Sequence, residues 1–390
     1  MIYDCVIIGA GASGIFTALN INSNKLVLID KNTGAKKLSI TGNSRCNITN
    51  SAPLDDFLNS YGKNGQFLRD SFNLFFRDEL IEFLKSININ TRSHNSKILI
   101  EGVTSKELAR RMLNLISRNK IEFRQFEPVI DISKGRYFKT TTNKADYYSK
   151  SVVLACGGMS YPKTGSSGDC YRFAKHFGHK ITKLCAYESA FCIKRSLIKP
   201  LKGLSFHNVE VNLKYGKKSK KVIGDIIFTH FGVSGPAILE LSEVDFDKAQ
   251  LIIRFIDDNE NQFLNFIRSK KGKVVNLLCE KLHRRFVKEI IKTDKFCSDI
   301  SNKELREIFN LLHNFSVDVK KCPIERAFVT KGGVSLKDVD PKTMQSKIVE
   351  GLFFTGEILD IQGSIGGFNL QAAFSEGYLT AQSINNIILS

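Results

Sequence analysis

Residues 1–14 read MIYDCVIIGAGASG, and this stretch decides the fold. The apolar run 2–8 predicts a buried strand, and Gly9, Gly11 and Gly14 follow it with the spacing G-x-G-x-x-G. In this pattern the first glycine permits a tight turn, the second lets the backbone approach a pyrophosphate, and the third lets helix and strand pack closely. The helix predicted after the turn offers free N–H groups and a favourable dipole to a diphosphate.

A second apolar run, 26–29, ends in Asp30. An acid at the end of the second strand accepts hydrogen bonds from a ribose diol in dinucleotide-binding folds. Strand, glycines, helix and acid together predict a dinucleotide site, and by themselves they allow either NAD or FAD.

The composition is that of a globular protein of 390 residues. The apolar segments are too short for a transmembrane helix, and Met1 leads directly into a strand without a signal sequence, so we expect a cytoplasmic protein with no membrane partner. Nine scattered cysteines argue against a disulfide framework. Because no C-x-x-C occurs, we expect no metal site.

The formal net charge is +18, and the basic surplus is spread over the chain rather than confined to a tail. One interpretation is solubility alone, and the other is a polyanionic partner, most naturally nucleic acid. The residues predicted to grip RNA phosphates form two clusters, one at a predicted hairpin tip (Lys217, Lys218, Lys220 and Lys221) and one in a helical segment (Lys281, Arg284 and Arg285).

The domain prediction follows a change in pattern near residue 186. The fold class is α/β, a Rossmann-like dinucleotide-binding domain with an inserted β-barrel-like subdomain and a small helical subdomain. The predicted segments are 1–187 (first part of the dinucleotide domain), 188–257 (β-rich insert), 258–322 (helical insert), 323–345 (return of the β-rich insert) and 346–390 (C-terminal part of the dinucleotide domain).

Three later stretches carry further glycine signals. The polar loop 34–50 is long for a compact domain, which favours a functional role. Residues 152–158 (VVLACGG) and 352–357 (LFFTGE) each predict a buried strand that ends in glycine, and Gly366 and Gly367 precede a predicted terminal helix.

These features resemble flavoproteins with two dinucleotide-binding domains. The resemblance implies that Glu357 contacts the ribityl chain, and that Gly366, Gly367 and Phe368 form the turn at the flavin edge. There the dipole of the last helix would stabilise negative charge on reduced flavin.

A closer resemblance is to the bacterial HI0933-like flavoproteins, a family of FAD-binding oxidoreductases that includes the BaiN/RdsA and aminoacetone oxidase types. It covers nearly the whole chain and rests on the stretches 42–50 (GNSRCNITN), 157–162 (GGMSYP), 229–236 (THFGVSGP), 330–334 (TKGGV), 356–360 (GEILD) and 366–371 (GGFNLQ). Cys156 departs from the threonine usual at that strand end. The cofactor-binding residues expected for FAD are Gly9, Gly11, Ala12, Ser13, Gly14, Asp30, Lys31, Lys37, Thr41, Gly42, Val129, Ala155, Cys156, Gly157, Gly356, Glu357, Gly366, Gly367 and Phe368.

The resemblance implies several activities: amine oxidation, bile-acid reduction, and reduction of a uridine in 23S ribosomal RNA to dihydrouridine. The charge favours ribosomal RNA as the substrate. The alternatives are a small-molecule flavin oxidase or reductase, and an RNA-binding or assembly factor without turnover. Because only one complete dinucleotide fingerprint is present, NADH or NADPH would have to bind transiently as reductant, or a separate reductant would serve.

Reduction of uracil needs a hydride from the flavin and a proton from a positioned acid. Cys46 is our candidate catalytic acid, with Arg45 and Asn47 as contacts to base or phosphate. The alternative is that Cys46 only packs beneath the flavin. His230 is a second candidate acid, although a single histidine is often structural. The sequence leaves the oligomeric state open.

Overall fold

Strands and helices alternate at the start of the chain. The computed structural model describes residues 1–44 and 46–389, without the side chains at positions 43, 44, 195 and 197. The strands are β1 (Ile2–Ile8), β2 (Leu26–Ile29), β3 (Asn47–Asn50), β4 (Asn90–His94), β5 (Lys97–Glu101), β6 (Glu122–Arg124), β7 (Val129–Lys134), β8 (Phe138–Thr142), β9 (Asp146–Leu154), β10 (Cys185–Tyr187), β11 (Phe191–Cys192), β12 (Ser205–Tyr215), β13 (Lys218–Phe228), β14 (Gly232–Ser234), β15 (Ala249–Arg254), β16 (Phe315–Lys321), β17 (Val329–Lys331) and β18 (Leu352–Phe354).

The helices are α1 (Ala12–Asn20), α2 (Lys36–Ser39), α3 (Leu54–Asn59), α4 (Arg69–Leu74), α5 (Arg77–Ser86), α6 (Ser105–Arg118), α7 (Asp169–His176), α8 (Arg195–Ile198), α9 (Pro236–Leu241), α10 (Glu260–Arg268), α11 (Val274–Leu278), α12 (Arg284–Ile290), α13 (Asn302–His313) and α14 (Phe368–Leu389). In the part of the chain that the structure describes, no helix combines the length and the apolarity needed to cross a bilayer.

The main sheet has the strand order β6-β2-β1-β9-β8-β7. Strands β6, β2, β1 and β9 run parallel, as the predicted Rossmann-like fold requires. One edge of β9 is shared, since residues 146–149 pair with antiparallel β8 and residues 152–154 pair with parallel β18. The last strand of the domain therefore lies beside the strand that ends in Ala155 and Cys156.

Apolar layers cover both faces of this sheet, as a parallel sheet demands. On one face Cys5 and Ile7 pack in a core with residues of α1, α6 and α14. On the other face Val6 and Ile8 pack with residues of α3, α4 and α7. Because every residue of β1 from Cys5 to Ile8 is buried, the strand is a continuous apolar run rather than an alternating one.

The chain divides into two units, one of residues 1–186 and 328–390 and one of residues 187–327. The second unit contains a closed barrel, in which each strand pairs with its neighbours in the order β11-β14-β13-β12-β15-β16. Its core also takes in residues of α10–α13. The predicted hairpin is present, with Tyr215 opposite Lys218 at the β12–β13 turn.

Two predicted segment boundaries are wrong. The segment 258–322, predicted as helical, ends in β16, whose alternating buried and exposed residues close the barrel between β15 and β11. The segment 323–345 was expected to return to the β-rich insert, but residues 328–345 belong to the first unit. The barrel is therefore completed before residue 323 rather than after it.

Candidate cofactor site

A cleft opens in the first unit where β1, β2, β9 and β18 end. Its lining comes from the glycine turn after β1, the residues after the other three strands, and one side of α14. In open α/β sheets, ligands bind outside the carboxyl ends of the strands. The expected cofactor residues that line it are Gly9, Gly11, Ala12, Ser13, Asp30, Lys31, Lys37, Val129, Ala155, Cys156, Gly157, Gly356 and Glu357.

The three glycines of the turn have different surroundings. A Cβ at Gly9, where φ is +104°, would lie 2.5 Å from the Ala155 carbonyl oxygen, and one at Gly14 would lie 1.9 Å from the Gly9 carbonyl oxygen. A Cβ at Gly11 would meet no atom of the described protein within 4 Å. The turn and the packing therefore require Gly9 and Gly14, whereas Gly11 leaves an open face at the start of α1.

Asp30 holds the turn from the next strand. Its Oδ2 accepts a hydrogen bond from the Ala10 N–H at 2.8 Å, and its Oδ1 accepts one from the Asn32 N–H at 2.7 Å. A carboxylate has about four acceptor positions, so two backbone donors fix Asp30 in the cleft and leave it able to accept from a diol.

Glu357 lies in a polar network at the end of β18. Its Oε1 accepts from the Thr330 N–H at 2.7 Å and from the Ser160 hydroxyl at 3.0 Å, while its Oε2 forms an ion pair with Lys37 Nζ at 2.5 Å. The expected ribityl contact by Glu357 stays a prediction, but the side chain is held in place for such a role.

Lys31 lines the cleft, where its ammonium group forms an ion pair with Asp169 at 2.5 Å and donates to the Ser167 hydroxyl. Both partners lie at the start of α7. The contact ties the residue after β2 to the loop after β9, next to the cleft.

Glu376 is a cleft residue that the sequence analysis missed. It lies on α14, is completely buried, and accepts the Gly356 N–H at 2.5 Å through Oε2. Its Oε1 has no hydrogen-bond partner among the described residues. Burial raises the pKa of this carboxyl to about 8. No local signal identifies it, because a glutamate within a helix is usually exposed.

Cys156 and Cys170 form a disulfide with their Cα atoms 6.1 Å apart, and both residues line the cleft. The sequence argued only against a framework of disulfides, and it contained no signal for this single pair. The bond joins the end of β9 to the start of α7.

The other expected cofactor residues lie outside the lining of the cleft, and they are Gly14, Thr41, Gly42, Gly366, Gly367 and Phe368. Gly366 and Gly367 have φ values of +146° and +94°, and they form the turn into α14. Asn50 donates to the Gly366 carbonyl oxygen at 3.0 Å and Tyr61 donates to the Phe368 carbonyl oxygen at 2.7 Å. The turn is therefore fixed by side chains, and its role at the flavin edge stays a prediction.

Cys46 is fully buried in the core beside α1 and α6, outside the lining of the cleft. Burial raises the pKa of its thiol to about 12. These surroundings favour the packing alternative over the acid. Asn47 begins β3 and its Oδ1 has no partner among the described residues, and Arg45 lies outside the described residues. His230 is exposed in the second unit, where its ring contacts Phe231.

Some of the residues predicted to bind RNA form ion pairs or hydrogen bonds within the protein, and others do not. Lys220 lies 3.5 Å from Glu243, Lys221 lies 2.9 Å from Glu210, and Lys281 forms an ion pair with Asp258. Arg285 donates to the Lys202 carbonyl oxygen. Of these seven predicted residues, Lys217, Lys218 and Arg284 form no ion pair or hydrogen bond from the side chain with other described residues.

The second unit has a cavity of about 720 Å³ with a basic lining. Four exposed lysines, Lys194, Lys214, Lys248 and Lys320, line it together with Asp318. None of the four has an ion-pair partner in the part of the chain that the structure describes. We call these four residues the cavity lysines.

The residues of the cleft fit FAD. Gly11 leaves room for a diphosphate at the start of α1, Asp30 is positioned for a ribose, and the unpartnered Oε1 of Glu376 marks a buried polar position without a protein partner among the described residues. The mixed Rossmann-type sheet and this cleft define an FAD-dependent oxidoreductase.

The chain belongs to the HI0933-like family, because the model described as "HI0933-like protein Rossmann domain" matches residues 3–383. The chain is 27% identical over 397 residues to the ribosomal RNA dihydrouridine synthase of Escherichia coli (strain K12), covering 98% of each chain. It is 24% identical to the 3-dehydro-bile acid delta(4,6)-reductase of Clostridium scindens, covering 97% of this chain and 98% of that one.

Among solved structures, the chain is similar to 3-ketosteroid delta1-dehydrogenase from Sterolibacterium denitrificans. The TM-score is 0.55 at 12% identity, and 99% of each chain is covered. At this identity the similarity establishes the shared fold alone.

Proposed function

We propose that this protein reduces a uridine of 23S ribosomal RNA to dihydrouridine. The observation that carries the proposal is the match to a ribosomal RNA dihydrouridine synthase over 98% of both chains, which spans the cofactor cleft and the second unit alike. We place the protein in the cytoplasm, where that RNA is found.

The charge of the chain supports an RNA substrate. The net charge is +18, and the cavity lysines are not neutralised by acidic neighbours within the described residues. Unpaired lysines release counterions when they contact phosphates, and this release supplies much of the affinity for RNA. We therefore propose that the cavity lysines, Lys217, Lys218 and Arg284 bind the phosphate backbone.

Bound FAD supplies the hydride for the C5–C6 bond of uracil. The N–H groups at the start of α1 would hold the diphosphate, Asp30 would hold the ribose, and Glu357, which is held by Lys37, would contact the ribityl chain. The turn at Gly366 and Gly367 presents the first N–H groups of α14, where negative charge is stabilised.

The candidate proton donor from the sequence is Cys46, although its burial outside the cleft favours a packing role. At neutral pH its thiol is protonated, because burial raises the pKa to about 12. If Cys46 is the acid, replacement of Cys46 by Ala leaves flavin bound and abolishes dihydrouridine formation. Full turnover by Cys46→Ala with bound flavin would instead leave Cys46 as a packing residue only.

The test of the function is mass spectrometry of ribosomal RNA from cells with and without the gene. In wild type, one uridine of 23S ribosomal RNA should be heavier by about two hydrogens. This mass increase should be absent in the deletion strain and should return when the gene is restored. A restored gene that carries Gly11→Ala should not bring the modification back, because this substitution affects the cofactor cleft. An unchanged RNA in the deletion strain would refute the proposal.

The reductant is a separate question, and we propose NADH or NADPH as a transient partner. Mixing either nucleotide with the purified holoenzyme under anaerobic conditions should bleach the flavin absorbance. Failure of both nucleotides would require another electron donor.

A second candidate function is reduction of a small apolar molecule, which the similarity to the bile acid reductase favours. This function gives no reason to expect RNA binding that depends on salt. Binding of ribosomal RNA fragments that does not change between low and high salt, together with turnover of a steroid enone, would favour it over the RNA substrate.

A further inference from the structure

Glu376 is an acid in the cofactor cleft to which the function gives no role so far. It is completely buried on α14, and its Oε2 accepts the Gly356 N–H at 2.5 Å. Gly356 in turn lies against the start of α1, because a Cβ there would be 2.5 Å from Ser13 Oγ. Glu376 therefore lines the cleft beside the backbone at the start of α1.

The surroundings of Glu376 provide no counter-charge. It forms no ion pair within the described ranges, and its Oε1 has no hydrogen-bond partner there. Glu357, which follows Gly356 in the chain, already binds Lys37. Tyr61 is also buried and its hydroxyl donates to the Phe368 carbonyl oxygen.

Among the described residues, the elements packed against α14 add no cation that is both unpaired and shielded from solvent. Helix α1 and strand β3 contain no titratable side chain, and α4 contributes only Arg69 and Asp70. Arg69 forms an ion pair with Asp55. Helix α5 contributes Arg77, Asp78, Glu79, Glu82 and Lys85, of which only Arg77 is not exposed, and Arg77 pairs with Asp78.

An ionised Glu376 would add negative charge beside a bound diphosphate, and both groups would be poorly solvated. A protonated Glu376 has the opposite effect, since its free oxygen then carries a hydrogen-bond donor. The buried position without a cation favours the protonated form, and burial accordingly raises the pKa to about 8.

We propose that Glu376 acts as a neutral carboxylic acid whose Oε1–H donates a hydrogen bond to the diphosphate of FAD, so that binding of the cofactor requires one proton on this side chain. The proton stays on Glu376 throughout, and it is not transferred to substrate. The inference concerns the cofactor and holds whichever substrate the enzyme reduces.

The sign of the pH dependence follows from this linkage. Binding of FAD holds the proton, so the pKa of Glu376 is higher in the holoenzyme than in the apoprotein. The affinity for FAD is highest while Glu376 of the apoprotein is protonated. It falls as the pH rises above about 8, by up to about tenfold per pH unit.

The experiment is titration of the flavin-free full chain with FAD between about pH 6.5 and about pH 9.5, followed by flavin fluorescence. Wild type should bind with constant affinity below about pH 8 and weaken above it. Glu376→Gln, which keeps a neutral donor, should retain the affinity seen at low pH and lose the pH dependence. Glu376→Ala should bind more weakly at every pH.

Glu357→Gln is the matched control, because that acid lines the same cleft but pairs with Lys37. Whatever its affinity for FAD at low pH, this variant should still bind FAD more weakly above about pH 8. The same pH profile in Glu376→Gln as in wild type would overturn the proposal.

A second measurement does not depend on any variant folding. Calorimetry of FAD binding to wild type at about pH 8.5, in two buffers of different ionisation enthalpy, should show uptake of a substantial fraction of one proton. The absence of proton uptake would overturn the proposal on its own.

Discussion

Gly11 and Gly14 lie on the same turn, but substitution should affect them differently. A Cβ at Gly11 meets no atom of the described protein within 4 Å, so Gly11→Ala should fold normally. The new methyl group would occupy the face used by the diphosphate, and we expect the Kd for FAD to rise by about 10- to 100-fold. Fluorescence titration with FAD measures this effect, and the thermal transition of the apoprotein should not change.

Gly14→Ala is the contrasting variant, because its Cβ would lie 1.9 Å from the Gly9 carbonyl oxygen. Helix α1 would have to move away from β1. We expect the free energy of unfolding of the apoprotein to fall by at least about 1–3 kcal/mol, as in other overpacked cores. Equal stability of the two variants would show that Gly14 is not a packing position.

The buried acid Glu376 should also affect the stability of the apoprotein. Burial raises its pKa from 4.5 to about 8, so between these values the folded state binds more protons than the unfolded state. The stability it contributes is complete at low pH and is lost as the pH rises, by up to about 1.4 kcal/mol per pH unit.

Urea unfolding of apo wild type and apo Glu376→Gln at several pH values tests this linkage. The difference in free energy of unfolding should change in favour of Glu376→Gln between about pH 5 and about pH 8. A constant difference across this range would mean that the side chain is ionised in the folded apoprotein.

For single residues, the sequence predicts those whose partners lie close to them along the chain. Gly9, Gly11 and Asp30 could be found because turn, helix and acid lie within one βαβ unit. Glu376 could not be found, because its environment depends on Gly356 and Ser13, which come from distant parts of the chain. The partners of Lys220 and Lys221 depend on neighbouring strands and helices in the same way.

At the scale of elements, the disulfide joins the end of β9 to the start of α7. It closes a loop with a sequence separation of 14, and loops of this length are stabilised by about 3 kcal/mol. We expect Cys156→Ser with Cys170→Ser to lower the free energy of unfolding without reductant. With reductant, the variant and wild type should become nearly equal.

Cys279→Ser provides the control, since Cys279 is half-buried and not bonded to another cysteine. It should leave the effect of reductant unchanged. Alkylation of denatured wild type should find seven thiols before reduction and nine after it. Nine thiols before reduction would show that the disulfide does not form in solution.

Elements with a strong local pattern were predicted well. Strands β2 and β18, the second half of β1 and residues 152–154 of β9 are apolar runs followed closely by glycine or acid, and the β12–β13 hairpin has a turn between alternating strands. Strand β16 was missed because it follows α13 directly, and only its pairing with β15 and β11 shows that it belongs to the barrel.

At the scale of the whole molecule, the net charge should be visible in the salt dependence of RNA binding. The cavity lysines have no ion-pair partners in the described part of the chain, whereas Lys220 and Lys221 are paired. Changing Lys214 and Lys320 to Gln should reduce the slope of log K against log salt by about 0.7 for each phosphate that the protein no longer neutralises.

The matched variant changes Lys220 and Lys221 to Gln and removes the same formal charge. Because these two side chains are neutralised within the protein, we expect a smaller loss of affinity and little change in slope. Filter binding of 23S ribosomal RNA fragments at several salt concentrations measures both variants. Equal losses would mean that total charge, rather than the cavity lysines, governs binding.

The first unit is built from two separate segments of the chain, with the barrel unit between them. On the ribosome, the glycine turn is made before the barrel, but β18 and α14, which complete its cleft, are made after the barrel. A nascent chain can therefore fold the barrel while strands β1 and β2 still lack these neighbours. Loading of FAD into the complete cleft has to wait until α14 has been made, so the cofactor cannot guide the folding of the segments made before it.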